Sequence, residues 1–302
     1  MICSVCIATY KRPALLQQLL RSLETQSLPD GVCLQIIVVD NDCDGSAAHV
    51  AAGRYNTKEM TFQYHIQPLK NISLTRNMAM ANARGRYLLF IDDDEIASPD
   101  WVATLLAAAL KYRADAVFGP VFPVFDNEAP EWIKHGRRLL DDTIPSTPTG
   151  TEAASTWTGN CLLKASALAH MPVPFDPEYG NTGGEDEDLF NRLKRNGARL
   201  IYCNEAHVYE YWPPSRTRLP YLLRRGLKGG NSHTRRAIDF STRKGPLRLF
   251  MLIKAVGFGS LSLLLSIITL PSKVWRTYWQ VKLAANVGRF MAATGHLYKS
   301  YK

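Results

Sequence analysis

Apolar positions alternate between two patterns along the first 120 residues. Short runs rich in β-branched side chains, such as ICSVCIATY at 2–10, are typical of buried strands. Stretches with leucine at helical spacing, such as LLQQLLRSL after Pro13, are typical of amphipathic helices. The predicted strands are 2–10, 34–40, 87–92 and 114–122, and the predicted helices are 13–23, 73–84 and 101–112. This alternation predicts an α/β fold with a helix-covered, largely parallel sheet.

Polar residues follow three of these predicted strands. They are Thr9-Tyr10-Lys11-Arg12, Asp40-Asn41-Asp42 and Asp92-Asp93-Asp94. Ligands of such sheets bind outside the carboxyl ends of the strands, so these segments are expected to converge on one site. The chain has no GxGxxG after the first strand and no GxxxxGK[ST], which argues against a dinucleotide fold or a P-loop.

Three consecutive aspartates directly after an apolar strand need a source of positive charge, because like charges raise the cost of ionisation. A solvated loop with a helix cap is one interpretation, but Ser98-Pro99-Asp100 already supplies a start signal for the next helix. A hard divalent cation, Mg²⁺ or Mn²⁺, is the other, since these ions take carboxylate oxygens and substrate phosphates.

A second acidic cluster lies in GGEDEDLFNRLKRNG at 183–197, where two glycines precede four acids and a predicted helix. Acids favour a helix N-terminus because of the helix dipole, which accounts for one or two of them. A carboxylate at this position is also a candidate general base, if it reaches a substrate hydroxyl. The strand predicted at 198–203 leads to His207, which taken alone is more often an ordinary surface histidine.

These motifs together resemble the family 2 glycosyltransferases, which have the GT-A fold. The resemblance rests on Thr9-Tyr10-x-Arg12-Pro13, the VVD ending at Asp40, Arg76-Asn77, GRYLLFIDDD at 85–94 and GGEDEDL at 183–189. It covers roughly residues 2–210. GGEDEDLFNRL also resembles a segment of the β-1,4-galactosyltransferases, and a Pro-Trp stretch at 130–132 resembles bacterial exopolysaccharide enzymes of the succinoglycan type.

The resemblance implies a Rossmann-like, nucleotide-sugar-binding mixed sheet and a set of residue roles. Thr9, Tyr10, Arg12 and Asp40 would hold uracil, Asp92 or Asp93 the ribose, and Arg76 the diphosphate. Asp94 and His207 would bind the divalent metal. Asp186 would be the catalytic base, with Glu185 as a second catalytic candidate. One base facing a metal-stabilised leaving group implies an inverting transfer from a nucleotide sugar, with UDP as the expected carrier, to a hydroxyl of a glycan or lipid-linked acceptor.

Charge divides the chain into an acidic and a basic part. Residues 1–210 carry 19 Lys and Arg against 26 Asp and Glu, whereas residues 211–302 carry 17 against one, Asp239. We expect a catalytic domain at 1–210 and a basic, partly apolar helical extension at 211–302. The apolar run Leu249–Leu270 has basic residues on both sides, which favours an interfacial or re-entrant helix on an anionic membrane surface. The alternative is a helix buried against the catalytic domain.

Two other functions use the same features. Nucleotidyl transfer also needs acidic strand ends, a metal and a nucleotide, but it does not account for the GGEDED motif. Nucleic-acid binding through the basic extension would be opposed by the acidic two-thirds of the chain, so no nucleic-acid partner is expected. The six cysteines are scattered and no secretory signal precedes the first strand, which favours the cytoplasmic face of a bacterial inner membrane.

Overall fold

A seven-stranded mixed sheet dominates the computed structural model, which describes residues 1–52, 54, 56–140 and 147–298. The described residues contain ten strands: β1 Ile2–Thr9, β2 Cys33–Asp40, β3 Met60–Ile66, β4 Tyr87–Ile91, β5 Glu95–Ala97, β6 Ala116–Phe118, β7 Val121–Phe125, β8 Asn160–Lys164, β9 Leu200–Tyr202 and β10 Val208–Trp212. The α-helices are α1 Pro13–Glu24, α2 Ala48–Ala51, α3 Ile72–Ala81, α4 Trp101–Lys111, α5 Glu131–Leu140, α6 Glu185–Arg195, α7 Leu219–Asp239, α8 Lys244–Ile268 and α9 Lys273–Ala293.

The large sheet has the order β3-β2-β1-β4-β8-β6-β9. Strands β1 to β4 pair in parallel, and β8 is antiparallel to both β4 and β6. Buried apolar side chains cover both faces, which is why β1, β2 and β4 read as continuous apolar runs in the sequence. The parallel pairing brings the carboxyl ends of β1, β2 and β4 to one edge, as the sequence predicts.

Several local expectations need correction. The strand predicted at 114–122 is two strands, β6 and β7, and the segment 123–158, interpreted as loops, contains α5. Asp100 is the N-cap of α4, whereas the Ser98 hydroxyl donates to the Asp100 carboxylate and lies outside the helix. Ser98 therefore orders the turn before α4 and does not cap it.

The described chain forms two compact units. The first holds the described residues of Met1–Pro123, Thr143–Asn181 and Glu185–Glu210, and the second those of Val124–Asp142, Thr182–Gly184 and Tyr211–Lys302. The second unit is mainly helical, with α9 packed against both α7 and α8. The boundary predicted at residue 210 does not account for the two earlier segments of the second unit, and the domain division stays a prediction.

Candidate active site

The carboxyl ends of β1 and β4 are joined by side-chain contacts. Thr9, the last residue of β1, is buried and donates from Oγ1 to Asp93 Oδ2 at 2.7 Å. Arg12, at the start of α1, contacts Asp93 Oδ1 at 3.2 Å and Asp94 Oδ2 at 3.1 Å. The intervening Lys11 has φ of 55°, a left-handed conformation that is costly for a lysine. The structure thus joins the end of β1 to an acidic run that lies 81–84 residues further along the chain.

Arg76 connects the acidic strand end to the second acidic cluster. Its guanidinium, buried at the end of a side chain from α3, donates to Glu185 Oε1 at 2.5 Å and to Asp92 Oδ1 at 3.3 Å. The same guanidinium lies 5.7 Å from the centroid of the Phe175 ring. Arg76 is therefore held by two carboxylates and an aromatic face, which fixes the first residue of α6 beside the end of β4.

Two acids of this edge, Asp92 and Asp93, have raised pKa values. Desolvation raises the pKa of Asp93 to about 6, with Arg12 opposing the shift and Asp94 adding to it. Desolvation also raises the pKa of Asp92, which Arg76 lowers and which the charges of Asp94 and Asp186 raise further. Such shifts are typical of sites where additional positive charge is bound.

Glu95 completes the acidic run. It is buried, its Oε2 accepts the Asp92 backbone N–H at 2.8 Å, and its pKa lies well above the ordinary glutamate value because of desolvation and then the charge of Asp92. This residue was not a candidate from sequence, although it directly follows the aspartates.

The four acids of the GGEDED motif have different surroundings. Gly183 and Gly184 adopt φ of 80° and 100°, conformations that favour glycine and turn the chain into α6. Glu185 pairs with Arg76, and Asp188 pairs with Arg192 at 2.7 Å. Asp186 is half-buried; its Oδ1 accepts the Glu187 backbone N–H, and within the described ranges no basic side chain pairs with it.

Asp40 and Tyr10, which are predicted from sequence to hold the nucleobase, lie at the end of β2 and directly after β1. The Asp40 carboxylate is buried and accepts hydrogen bonds from the Asp42 and Ala47 backbone and from the Ser46 and Tyr64 hydroxyls. The Tyr10 ring is half-buried, with Lys70 Nζ 4.5 Å from its centroid. A uracil contact from Asp40 would have to displace some of its four donors, and both nucleobase roles stay predictions.

His207 lies apart from Asp94. Strands β10 and β5 are antiparallel with Val208 opposite Ala97 and Glu210 opposite Glu95, and the Ser98 N–H donates to the His207 carbonyl. Asp94, directly before Glu95, is therefore several positions along the sheet from His207, whose ring packs on Phe122 with centroids 5.2 Å apart. The acid that the register brings to the aspartate run is Glu210, whose charge raises the pKa of Glu95.

Sequence alone missed Glu210 because the β5–β10 register is set by tertiary pairing. The ligand role of His207 stays a prediction without support from this geometry. Among the described residues, the one group of three potential metal ligands with atoms within 4.8 Å of one another is Asp42, Cys43 and Asp44, in the loop after β2. That group is separate from the aspartate run predicted to bind metal.

Comparisons with known proteins identify the family of this chain. Residues 4–171 match the family described as Glycosyl transferase family 2. The chain is 35% identical over 229 residues to the succinoglycan biosynthesis protein ExoM of Rhizobium meliloti, covering 76% of this chain and 73% of that protein. It is also 21% identical over 281 residues to a hyaluronan synthase of Pasteurella multocida, covering 77% of this chain and 29% of the synthase.

Solved structures show the same fold. The S. aureus TarS structure of residues 1–349 in complex with UDP has a TM-score of 0.56 at 17% identity, covering 99% of this chain and 93% of that chain. A TarS complex with UDP-GlcNAc has a TM-score of 0.55 at the same identity. The mixed sheet with flanking helices matches the GT-A fold of these structures, which confirms the predicted fold class. The chain belongs to glycosyl transferase family 2, and it is a glycosyltransferase.

Proposed function

We propose that the protein is an inverting, divalent-metal-dependent transferase that moves a sugar from a UDP-sugar to a hydroxyl of a glycan or lipid-linked acceptor in cell-surface polysaccharide synthesis. The observation that carries the proposal is the position of Asp186. Its carboxylate is close enough to Asp92 to raise that residue's pKa, yet it is not neutralised by an arginine as Glu185 and Asp188 are. An acid in this state is available to accept a proton.

The donor side is formed by the ends of β1 and β4. Thr9, Tyr10, Arg12 and Asp40 form the nucleotide side, and the UDP and UDP-GlcNAc complexes of the TarS neighbours are consistent with that carrier. Asp92 is the better candidate for the ribose, because 47% of its side chain is exposed against 7% for Asp93. Both Asp93 oxygens already accept hydrogen bonds from Thr9 and Arg12.

The residues present fit a hard divalent cation. Carboxylates with raised pKa values crowd this edge, and Arg12 and Arg76 are the cations shown in contact with the aspartate run among the described residues. Asp94 would hold the ion, and the substrate diphosphate would supply other ligands, as is usual for Mg²⁺. Bound there, the ion would act as a Lewis acid that stabilises the departing diphosphate.

Asp186 would perform the acid–base chemistry on the acceptor side. As the acceptor oxygen forms its bond to the anomeric carbon, the bond from that carbon to the diphosphate oxygen breaks, and its electron pair leaves with the diphosphate. The acceptor proton passes to the Asp186 carboxylate. A single displacement of this kind inverts the anomeric centre, so an α-linked donor gives a β-linked product.

The test is Asp186→Asn, with Glu187→Gln as the neighbouring control. The asparagine keeps the shape and loses the proton acceptor, so turnover should fall by about 10²–10⁴-fold while the donor dissociation constant stays near that of the wild type. Glu187→Gln should keep most of the turnover. Near-native turnover of Asp186→Asn would remove it as the base and direct attention to Glu185.

The donor itself is tested by binding. A panel of nucleotide sugars with Mn²⁺ should raise the melting temperature for UDP-sugars and not for the corresponding GDP-sugars. Stabilisation by nucleotide triphosphates with release of pyrophosphate would instead favour nucleotidyl transfer. Salt-sensitive binding to random DNA without any nucleotide-sugar binding would overturn the enzyme assignment.

A further inference from the structure

Helix α8 exposes a large apolar surface. Eleven large hydrophobic residues between Leu249 and Leu270 are each 45–64% exposed, far more than the scattered single residues that ordinary surfaces carry. They are Leu249, Phe250, Ile253, Val256, Phe258, Leu261, Leu263, Leu264, Ile267, Ile268 and Leu270. The helix is also long and apolar enough to cross a membrane by length and composition, and most of it is exposed.

The opposite side of α8 is a narrow stripe of mostly small residues packed inside the second unit. Met251, Ala255, Gly259, Ser262 and Ser266 are its buried positions, at spacings of three and four residues. A Cβ placed at Gly259 would lie 3.7 Å from Asn286 and 3.9 Å from Leu283 of α9. Gly259 and Leu283 are about equally far in sequence from the turn between the helices, so α8 and α9 pack side by side in antiparallel orientation.

The opposite face of α9 packs against α7 so closely that the two backbones are in contact. A Cβ at Gly230 of α7 would lie 1.9 Å from the Ala285 carbonyl, and one at Gly288 of α9 would lie 2.0 Å from the Leu227 carbonyl. Within the described part of the second unit, α9 therefore lies between α7 and α8 and also contacts α5. The outward face of α8 is the apolar edge of this group of helices.

This packing decides between crossing a membrane and lying in it. If α8 crossed a bilayer, α9 would be drawn into the hydrocarbon beside it, with Lys282 near its middle and Asn286 and Arg289 in its second half. Cations and amides are strongly disfavoured there. An α8 that lies in the plane of the surface buries its outward face in one leaflet and leaves α9 on the aqueous side.

The charges fit an anionic surface. Arg243, Lys244 and Arg248 surround the start of α8, and Lys273 and Arg276 follow its end. Lys254 is the single charged residue between Leu249 and Leu270; it is half-buried, with its Nζ 5.9 Å from the centroid of the exposed Phe258 ring. Basic residues at both ends of an otherwise apolar outward face suit an in-plane helix on acidic lipid headgroups, and a lysine beside that face can extend its ammonium to the headgroups.

We propose that α8 is an in-plane membrane helix that docks the protein on one anionic leaflet without crossing it. The inference deepens the proposed function, because it places the transferase where a lipid-linked acceptor would be found. Only the link to a lipid-linked acceptor rests on the proposed function, since docking on the membrane requires neither the donor nor catalysis.

The first experiment measures binding of the full chain to vesicles of phosphatidylcholine alone and of equimolar phosphatidylcholine and phosphatidylglycerol. Binding should be tighter to the anionic vesicles and only partly reversed by salt, since charge attraction is screened and apolar burial is not. The double substitution Ile253→Asp with Leu264→Asp should weaken binding by at least about tenfold. Leu110→Asp, at an exposed leucine of α4, should leave it unchanged.

The second experiment needs no substitution in the chain. Green fluorescent protein fused at either end should fluoresce in bacterial cells, and alkaline phosphatase fused at either end should be inactive, because both ends lie on the cytoplasmic side. Ends on opposite sides would show that α8 crosses and would overturn the proposal. Unchanged vesicle binding by the folded double variant would also overturn the proposal. So would a wild-type protein that binds no vesicles and forms a dimer that these two substitutions dissociate.

Discussion

Glu95 is a single residue whose burial should be visible in the pH dependence of stability. Its pKa in the folded protein lies well above the unfolded value of 4.5. Above pH 4.5 the folded state therefore keeps a proton on Glu95 that the unfolded state has lost. Stability that Glu95 contributes at low pH is therefore lost as pH increases toward its raised pKa. Glutamine carries no charge and can still accept the Asp92 N–H through its amide oxygen.

We expect the stability of Glu95→Gln, relative to that of the wild type, to be higher at pH 8 than at pH 5. The difference in melting temperature, variant minus wild type, should rise by at least about 2 °C between the two pH values in metal-free buffer. Glu59→Gln, at an exposed glutamate, should show no such change. Equal differences at both pH values would mean that Glu95 is solvated in the folded protein.

A substitution at Asp94 tests the proposed metal-binding role of a single residue. In the wild type, Mn²⁺ should tighten nucleotide-sugar binding and a chelator should reverse the effect. Asp94→Asn should remove most of this dependence, because an amide is a weak ligand for a hard cation. Asp44→Asn, in the Asp42–Cys43–Asp44 group, is the matched control and should keep the dependence. Donor affinity in the wild type that ignores the chelator would contradict the metal assignment.

At the scale of elements, the sequence predicts the edge of the sheet better than the contacts across it. The strands β1, β2 and β4 are long apolar runs, so their polar ends can be placed together from sequence. Strands β5 and β10 are short, and their register comes from tertiary pairing. The family resemblance implies His207 as a partner of Asp94 at the metal, whereas this register brings Glu210 to the acidic run.

The pairings within the GGEDED motif also lay beyond sequence reasoning. The pairs with Arg76 and Arg192 set Glu185 and Asp188 apart from Asp186. Helix α5 was missed because proline and aspartate around it obscure the helical spacing of EWIKHGRRLL. For Glu185, the missing information is a contact with a residue 109 positions away in the chain, whereas the Asp188–Arg192 pair and α5 are local.

Helix α7 offers a prediction with its control at the next residue. A Cβ at Gly230 would meet the Ala285 carbonyl at 1.9 Å, whereas one at Gly229 would meet nothing within 4 Å. Gly230→Ala should therefore destabilise the protein by about 1–3 kcal/mol through overpacking. Gly229→Ala should be neutral or stabilise it by up to about 1 kcal/mol through helix propensity. Thermal melts followed by circular dichroism would measure both, and similar melting temperatures would contradict the close α7–α9 packing.

At the scale of the whole molecule, charge and apolar surface are segregated along the chain. The acidic residues that would hold a nucleotide, a metal and an acceptor proton lie in the first unit. The basic excess and the exposed face of α8 lie in the second unit. An enzyme acting on a lipid-linked acceptor needs both properties, and their separation lets each be altered without the other.

The same division predicts what truncation does. A chain ending at Glu210 keeps every residue assigned to the active site, but it loses Trp212 and Leu222, which form a buried apolar cluster with Ala129 and Ile133. Those two remaining residues are 5% and 1% exposed in the full chain and would become uncovered. We therefore expect the truncated protein to aggregate because it exposes core surface, even though it has also lost the exposed apolar face of α8.

Size-exclusion chromatography of the truncated chain beside the full-length Ile253→Asp, Leu264→Asp variant separates these two effects. The full-length variant keeps the cluster around Ile133 and should elute as a soluble, folded protein with native donor affinity, although it no longer binds vesicles. The truncated chain should elute in the void volume or precipitate. A monomeric truncated chain with native donor affinity would show that the cluster is dispensable and that the first 210 residues fold as an independent catalytic domain.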